Sequence, residues 1–412
     1  MAFTMSIVLD KRRRKSDGTY PVKLRVFHNK KDKRYSLNIN LSENDFIDIW
    51  KNPKNKKFRG KKKEFELRLK AIETRANDEA RQLTVFDFDK FETRLFRKSS
   101  DQNNVKYYFD LIIEEKINDN KIGTAESYRY TLNSLKEYCE KEKKVIIDKL
   151  TFNQINVVWL KGYEKYMLAK GKSFTTIAIY TRTLRAVFNI AIENNDISSD
   201  IYPFGKNKYK IPRTKKVKKA LNSKQLKILF NAKTLNESEE LAKSIWFFSF
   251  ACNGMNLKDI ALLKYSDIKG DKFSYYRAKT FDKSAEKTQI TIFLTDFTNT
   301  IIDNYGTKNK ASFIFDIINE SDDDLTKYKK IKNFTRYIND HIKRVAKRNE
   351  LPEDISTYWA RHSFATNSLR KGVSMEFISE ALNHSDLNVT KNYFAGFEDE
   401  AKKEFANTIM DF

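Results

Sequence analysis

The chain has 412 residues, 40% hydrophobic and 13% aromatic, enough for two or three domains with cores and too much for a disordered polymer. A formal net charge of +24 points to a polyanionic partner, and nucleic acid is preferred over a membrane because no run of 18 apolar residues exists to cross a bilayer. Two cysteines, Cys139 and Cys252, cannot make a disulfide framework, and no Cys/His cluster has zinc spacing, which fits a reducing cytosol. The first nine residues are too short for a signal peptide and run into Lys11-Arg12-Arg13-Arg14-Lys15.

Residues 1–50 read as a small sheet. Ser6-Ile7-Val8-Leu9 is a strand, Ser16-Asp17-Gly18 a turn, and Tyr20-Pro21-Val22-Lys23-Leu24-Arg25-Val26-Phe27 alternates apolar and polar residues with period two. His28-Asn29-Lys30-Lys31-Asp32 turns the chain into a third strand over residues 35–41. One face would hold Val22, Leu24 and Val26, and the other would present Lys23 and Arg25 either to a DNA groove or to solvent. Eight basic residues and no acid then fill positions 51–63, ahead of a helix with Phe65, Leu69, Ile72 and Ala76 on one stripe.

Residues 97–104 are polar and aperiodic, as in a linker. Helical stripes follow: Val105, Tyr108, Phe109, Ile112 and Ile113, then Tyr128, Leu132 and Leu135 behind a Thr124 cap. Trp159, Tyr163, Tyr166 and Met167 mark a third helix ended by Gly171, and Ser173 opens a fourth with Ile177, Tyr180, Leu184, Val187 and Phe188. These are core stripes, and they predict a four-helix domain.

Positions 206–219 carry eight lysines and arginines, Pro212 and no acid. Such a run is either a solvated linker or a track for a phosphate backbone, through Lys206, Lys208, Lys210, Arg213, Lys215 and Lys216. Asn222-Ser223 caps the first helix of the last region. The whole reads as a multidomain α+β chain: an N-terminal sheet domain with a helix (1–95), a four-helix domain (104–205), a basic linker (206–217), and a mostly α domain with a small β-hairpin (218–412).

Within that last domain, about three dozen residues gather the chemistry. Arg361-His362-Ser363-Phe364-Ala365-Thr366 is followed by Leu382-Asn383-His384-Ser385, and Tyr393 stands nine residues after His384. Apolar positions Phe364, Leu369, Phe377, Ile378 and Leu382 make two helices broken at Gly372. This order resembles the C-terminal signature of the tyrosine recombinases, also called phage-type integrases. The likeness is strong over residues 240–395, and the N-terminal sheet is similar to arm-type DNA-binding domains.

The resemblance implies attack by Tyr393 on a scissile phosphate, giving a 3′-phosphotyrosyl link and a free 5′-hydroxyl. Arg361 matches the second arginine, His384 the downstream histidine, and Lys279, in Tyr276-Arg277-Ala278-Lys279-Thr280, the hairpin lysine that serves as general acid. That lysine falls between strand-like runs at 272–276 and 289–294. The sequence has neither carboxylate-rich metal motifs nor a phosphate-cradling glycine loop, so a reaction without metal, ATP or other cofactor is expected.

Two positions depart from the pattern. Tyr358 replaces a histidine three residues before Arg361, and its hydroxyl retains a donor. Asn256, in Gly254-Met255-Asn256, stands where the first arginine belongs, and an absent phosphate contact costs roughly 2–4 kcal/mol of transition-state stabilisation. Arg277 and Lys258 are the candidates to replace that charge. The variant resembles integrases of conjugative transposons and related bacterial mobile elements.

The expected activity is site-specific DNA recombination by a homo-oligomer, a tetramer on DNA, acting on double-stranded core and arm-type sites in the bacterial cytoplasm at the nucleoid, with no membrane partner. Alternatives are a DNA invertase of the same family, a type IB topoisomerase, and a catalytically impaired sequence-specific DNA-binding protein. The tail carries Phe397, Ala401, Phe405, Ile409 and Met410 on one helical face, for its own domain or for a neighbouring subunit.

Overall fold

The computed structural model describes residues 3–51, 58–83, 85–96, 101–213, 219–279, 281, 287–383, 387–391, 403 and 406. The chain divides into two compact units, Met1–Asp119 with Thr124–Arg213, and Asn120–Gly123 with Thr214–Phe412.

The first unit begins with an antiparallel sheet in the order β1 (Phe3–Leu9), β2 (Tyr20–His28), β3 (Lys31–Leu41). Alternation on β2 works as expected: Val22, Leu24 and Val26 are fully buried. β3 starts four residues earlier than its apolar pattern suggests. Asn29 and Lys30 both have positive φ (48° and 63°), so a two-residue turn carries pairing to His28↔Lys31. A short helix α1 (Glu43–Phe46) follows, capped by Ser42, and α2 (Gly60–Arg81) covers the sheet with Leu69 and Ala76 buried. α3 (Phe88–Phe96) completes this core with Phe91 and Leu95.

Four helices then surround a second core: α4 (Val105–Asn118), α5 (Ile122–Tyr138), α6 (Val157–Ala169) and α7 (Phe174–Glu193). Asn104, Asn156 and Ser173 cap α4, α6 and α7 by accepting backbone N–H bonds. Thr124 does not cap α5. That helix begins at Ile122, directly after Asn120 turns the chain with φ 58°, and buries Ile122 and Ala125.

The second unit opens on α8 (Ser223–Asn231), whose Asn222 cap and Gln225 form a reciprocal capping box. α9 (Glu237–Ala251) is its centre, with Ile245, Trp246 and Phe248 buried. Around it lie α10 (Leu257–Leu262), a sheet in the order β4 (Ile268–Lys269), β5 (Lys272–Tyr275), β6 (Ile290–Phe293), α11 (Asp296–Tyr305) and the long α12 (Asp324–Arg348). α13 (Thr357–Arg370), α14 (Met375–Ala381) and α15 (Leu387–Lys391) complete the described part. The expected hairpin is present, with β4 as a third strand that its two residues gave no pattern to reveal.

Candidate active site

α13 is held on several sides by polar bonds as well as by packing. Trp359 and Ala360 pack into an apolar cluster with Trp246, Ile342 and Val345. The Trp246 indole N–H donates to the Ser356 carbonyl (3.0 Å), and the Thr357 N–H to Asn339 (2.7 Å), fixing the start of the helix. Further along, Ser363 Oγ accepts the Leu221 N–H at 2.9 Å, and the Asn367 amide donates to the Leu221 carbonyl at 2.9 Å. Ser363 and Asn367 are therefore buried fasteners.

That frame places Arg361, 2% exposed, with little freedom. One terminal nitrogen donates to the Gly254 carbonyl at 3.1 Å and the other to the Leu382 carbonyl at 2.6 Å, which orients the plane of the guanidinium. Gly254 is required twice over. Its φ is +66°, and a Cβ there would come within 2.6 Å of the Arg361 Cα. Asn253 before it is also left-handed (φ 56°), and the turn closes with the Met255 N–H on the Cys252 carbonyl at 3.0 Å. Asn256 follows at once, half-buried. It is the N-cap of α10 by backbone position, but its side chain makes no capping bond.

A second guanidinium reaches the same place. Arg277, just beyond β5, is 7% exposed and donates to the Leu382 carbonyl at 3.4 Å. Asp259 on α10 is 6% exposed and accepts the Ala278 N–H at 2.9 Å, tying the end of β5 to the helix that Asn256 opens. Burial pushes the Asp259 carboxyl above the usual carboxylate range, opposed by the Ala278 bond and by the charges of Arg277, Arg361 and Lys258. Asp259 was absent from the sequence-derived site. The signal for it is its place three residues after Asn256, on the six-residue helix that the Asn-Gly turn launches.

Beside this cluster, Lys279 is exposed two residues past Arg277, and Lys258 is exposed on α10. Tyr358 is 45% exposed at the start of α13, with its ring edge-to-face on His362 (4.9 Å). A cavity of about 360 Å³ adjoins the cluster, bordered by Asp259, Tyr275, Tyr276 and Phe281. The Tyr275 hydroxyl is held well above its ordinary range, first by burial and then by the Asp259 charge. His384 and Tyr393 lie outside the described residues, as do Lys215, Lys216 and the apolar tail positions Phe397, Ala401, Phe405, Ile409 and Met410.

The remaining expected DNA contacts belong to the first unit. Lys206, Lys208, Lys210 and Arg213 are exposed around a buried Tyr209. Lys23 and Arg25 project from the sheet as expected, yet each meets a carboxylate: Lys23 Nζ is 2.7 Å from Asp10, and Arg25 Nε is 3.0 Å from Asp32. Asp10 also binds Arg12 at 2.9 Å. Hydrogen bonds from Arg12, then Lys23, hold the Asp10 carboxyl far below the usual range.

Family models match nearly the whole length. The phage integrase SAM-like domain matches residues 104–211, the phage integrase family residues 219–400, and an arm DNA-binding domain residues 7–91. A tyrosine recombinase of Thermosipho africanus is 25% identical over 277 residues, covering 64% of this chain and 89% of the relative. Tyrosine recombinase XerC of Listeria monocytogenes is 22% identical over 302 residues, covering 69% and 90%. Among solved structures, the Tn1549 transposon integrase in complex with a circular intermediate DNA has the same fold (TM-score 0.52, 15% identity, 74% of this chain and 99% of that one). So does the XerH recombinase bound to a palindromic difH substrate (TM-score 0.51, 19% identity, 81% and 94%). The chain belongs to the tyrosine recombinase, or phage integrase, family, whose members break and rejoin DNA strands.

Proposed function

We propose that this tyrosine recombinase integrates and excises a mobile element, working as a tetramer on core and arm-type DNA sites in the bacterial cytoplasm at the nucleoid. The observation that carries the catalytic reading is the convergence of two buried guanidinium groups, Arg361 and Arg277, on the carbonyl of Leu382. In sequence Leu382 is followed by Asn383 and then His384, so the carbonyl that both arginines meet lies two residues before that histidine.

In this mechanism Tyr393 Oη gives its proton to solvent water and attacks the scissile phosphorus. The P–O bond to the 5′-oxygen breaks, Lys279 gives that oxygen a proton, and a 3′-phosphotyrosine remains. Rejoining reverses each step: an incoming 5′-hydroxyl attacks the phosphotyrosine, its proton returns to Lys279, and Tyr393 leaves, its oxygen taking a proton back from water. Arg361, Arg277, His384, Tyr358 and the Asn256 amide act on the charge that develops on the phosphate oxygens. Arg277 stands in for the charge that Asn256 lacks. Its burial beside Arg361 supports that choice over Lys258, which is exposed. Asp259 holds the hairpin end through Ala278 and so positions Arg277 and Lys279.

The test uses supercoiled DNA and a nicked suicide duplex carrying the element's attachment sites, with wild type beside Tyr393→Phe. A denaturant-resistant protein–DNA adduct from wild type alone is expected. Binding without an adduct from either protein would support the second reading, a DNA-binding protein silenced by Asn256.

A further inference from the structure

The first unit contains two separate apolar cores, one under the sheet and one among α4 to α7. What joins them includes a buried polar hub. Arg94 on α3 is 7% exposed, and its Nε donates to Glu79 on α2 at 2.8 Å, where Glu79 is itself 5% exposed. One terminal nitrogen of Arg94 donates to the Asn194 carbonyl at the end of α7. The other donates to the Gln82 side chain and lies 4.0 Å from the Asp196 carboxylate, whose side chain is 1% exposed. Asp196 in turn accepts the Tyr108 hydroxyl of α4.

The chemistry of this junction differs from that of an ordinary apolar contact. Burial of an apolar face has no preferred bond direction, and its register is set only by how side chains interlock. A guanidinium fork is directional, and here its acceptors come from both sides: Glu79 and Gln82 from the sheet region, Asn194 from the helical region. Sliding the two regions by a few ångströms would break the Arg94 bond to the Asn194 carbonyl and draw its guanidinium away from the buried Asp196 carboxylate, while the Arg94–Glu79 pair stayed whole within the sheet region. Separating Asp196 from that cation disfavours other orientations.

We propose that the Arg94 hub clamps the sheet region to the four-helix region, so that the described residues of the two regions move as one rigid body. Resting on the recombinase reading above, the clamp sets two DNA-facing surfaces at one spacing and one rotational phase. An arm-type duplex and a core duplex are then engaged in a fixed geometry by each subunit.

The experiment reads the clamp without DNA. Spin labels are attached to the full chain through Lys30→Cys on the β2–β3 turn and Lys172→Cys before α7, both exposed, while Cys139 and Cys252 are buried. Pulsed electron spin resonance is expected to give one narrow distance population in the labelled parent protein. Arg94→Ala should broaden it severalfold. Arg94→Lys, which retains the charge and loses the fork, guards against simple misfolding and should broaden it too, with circular dichroism unchanged. A broad population in the parent overturns the clamp. A narrow one retained in both folded variants overturns the assignment to Arg94. A narrow parent population in a protein that never forms a DNA adduct supports the clamp while counting against the recombinase reading.

Discussion

Two regions of this molecule present basic side chains that its sequence offers for binding DNA, and they treat the charge differently. On the N-terminal sheet, Lys23 and Arg25 each meet a carboxylate, Asp10 shared with Arg12 and Asp32 shared with Arg34, so part of their field is offset before any DNA arrives. In the C-terminal unit, Arg277 and Arg361 are almost wholly buried and share a neutral acceptor, the Leu382 carbonyl, with the Asp259 carboxylate close enough to feel both. A guanidinium oriented by carbonyls keeps its full charge in a low dielectric, where an incoming phosphate feels it most strongly. Basic residues of similar appearance in sequence thus differ in what holds them: carboxylates on the sheet, and the Gly254 and Leu382 carbonyls in the C-terminal unit.

The sharpest way to break this contrast is Arg361→Ala. Covalent adduct formation on a suicide duplex should slow by about 10²–10³-fold, and Arg361→Lys should recover little because the fork is lost. Arg277→Ala should slow the same step by about 10²-fold if it supplies the charge absent at Asn256. A rate within twofold of wild type would move that role to Lys258. Asp259→Asn keeps the shape and weakens the hold on the hairpin end, so a loss of about tenfold in rate with little change in DNA affinity is expected.

An ion pair in the same unit serves as a control. Glu239 is buried, and the Arg348 guanidinium, at 2.8 Å through one nitrogen, lowers its carboxyl to about 2. A depressed carboxylate stabilises the fold fully above its unfolded value near 4.5 and loses that contribution as pH falls toward about 2. Glu239→Gln should therefore lower the unfolding free energy by about 1–3 kcal/mol at pH 7, with the gap to wild type closing through that acid window in thermal melts. The smallest effect belongs to the sheet. Lys23→Ala should change the salt dependence of DNA binding by less than about one phosphate contact, because Asp10 already shares the charge. A full-unit change would show that DNA displaces Asp10.

Much of the fold was legible from local rules. Period-two alternation at Val22, Leu24 and Val26 gave the sheet face, and helical stripes such as Tyr108, Phe109 and Ile112 gave the four-helix core. Caps at Ser173 and Asn222 marked helix starts correctly, because a side-chain acceptor for a backbone N–H three residues on is a local event. Thr124 shows the limit of that rule: Asn120 had already turned the chain, and α5 began before the threonine. The two-residue strand β4 left no pattern because its pairing partner, not its composition, makes it a strand.

By itself, then, the sequence determined the family, through the spacing of Arg361, His384 and Tyr393, and the order of sheet, helices and catalytic region. It also flagged Asn256 as a departure and named Arg277 and Lys258 as candidates to offset it. Only the tertiary structure distinguished those two, by burying Arg277 beside Arg361 and leaving Lys258 exposed. It alone disclosed Asp259 beneath the hairpin and the carboxylates opposite Lys23 and Arg25. The physical reason is range: hydrophobic period and caps act within a turn or two of chain. The charge state and orientation of a side chain depend on groups that packing brings from more than a hundred residues away, as Gly254 is brought to Arg361.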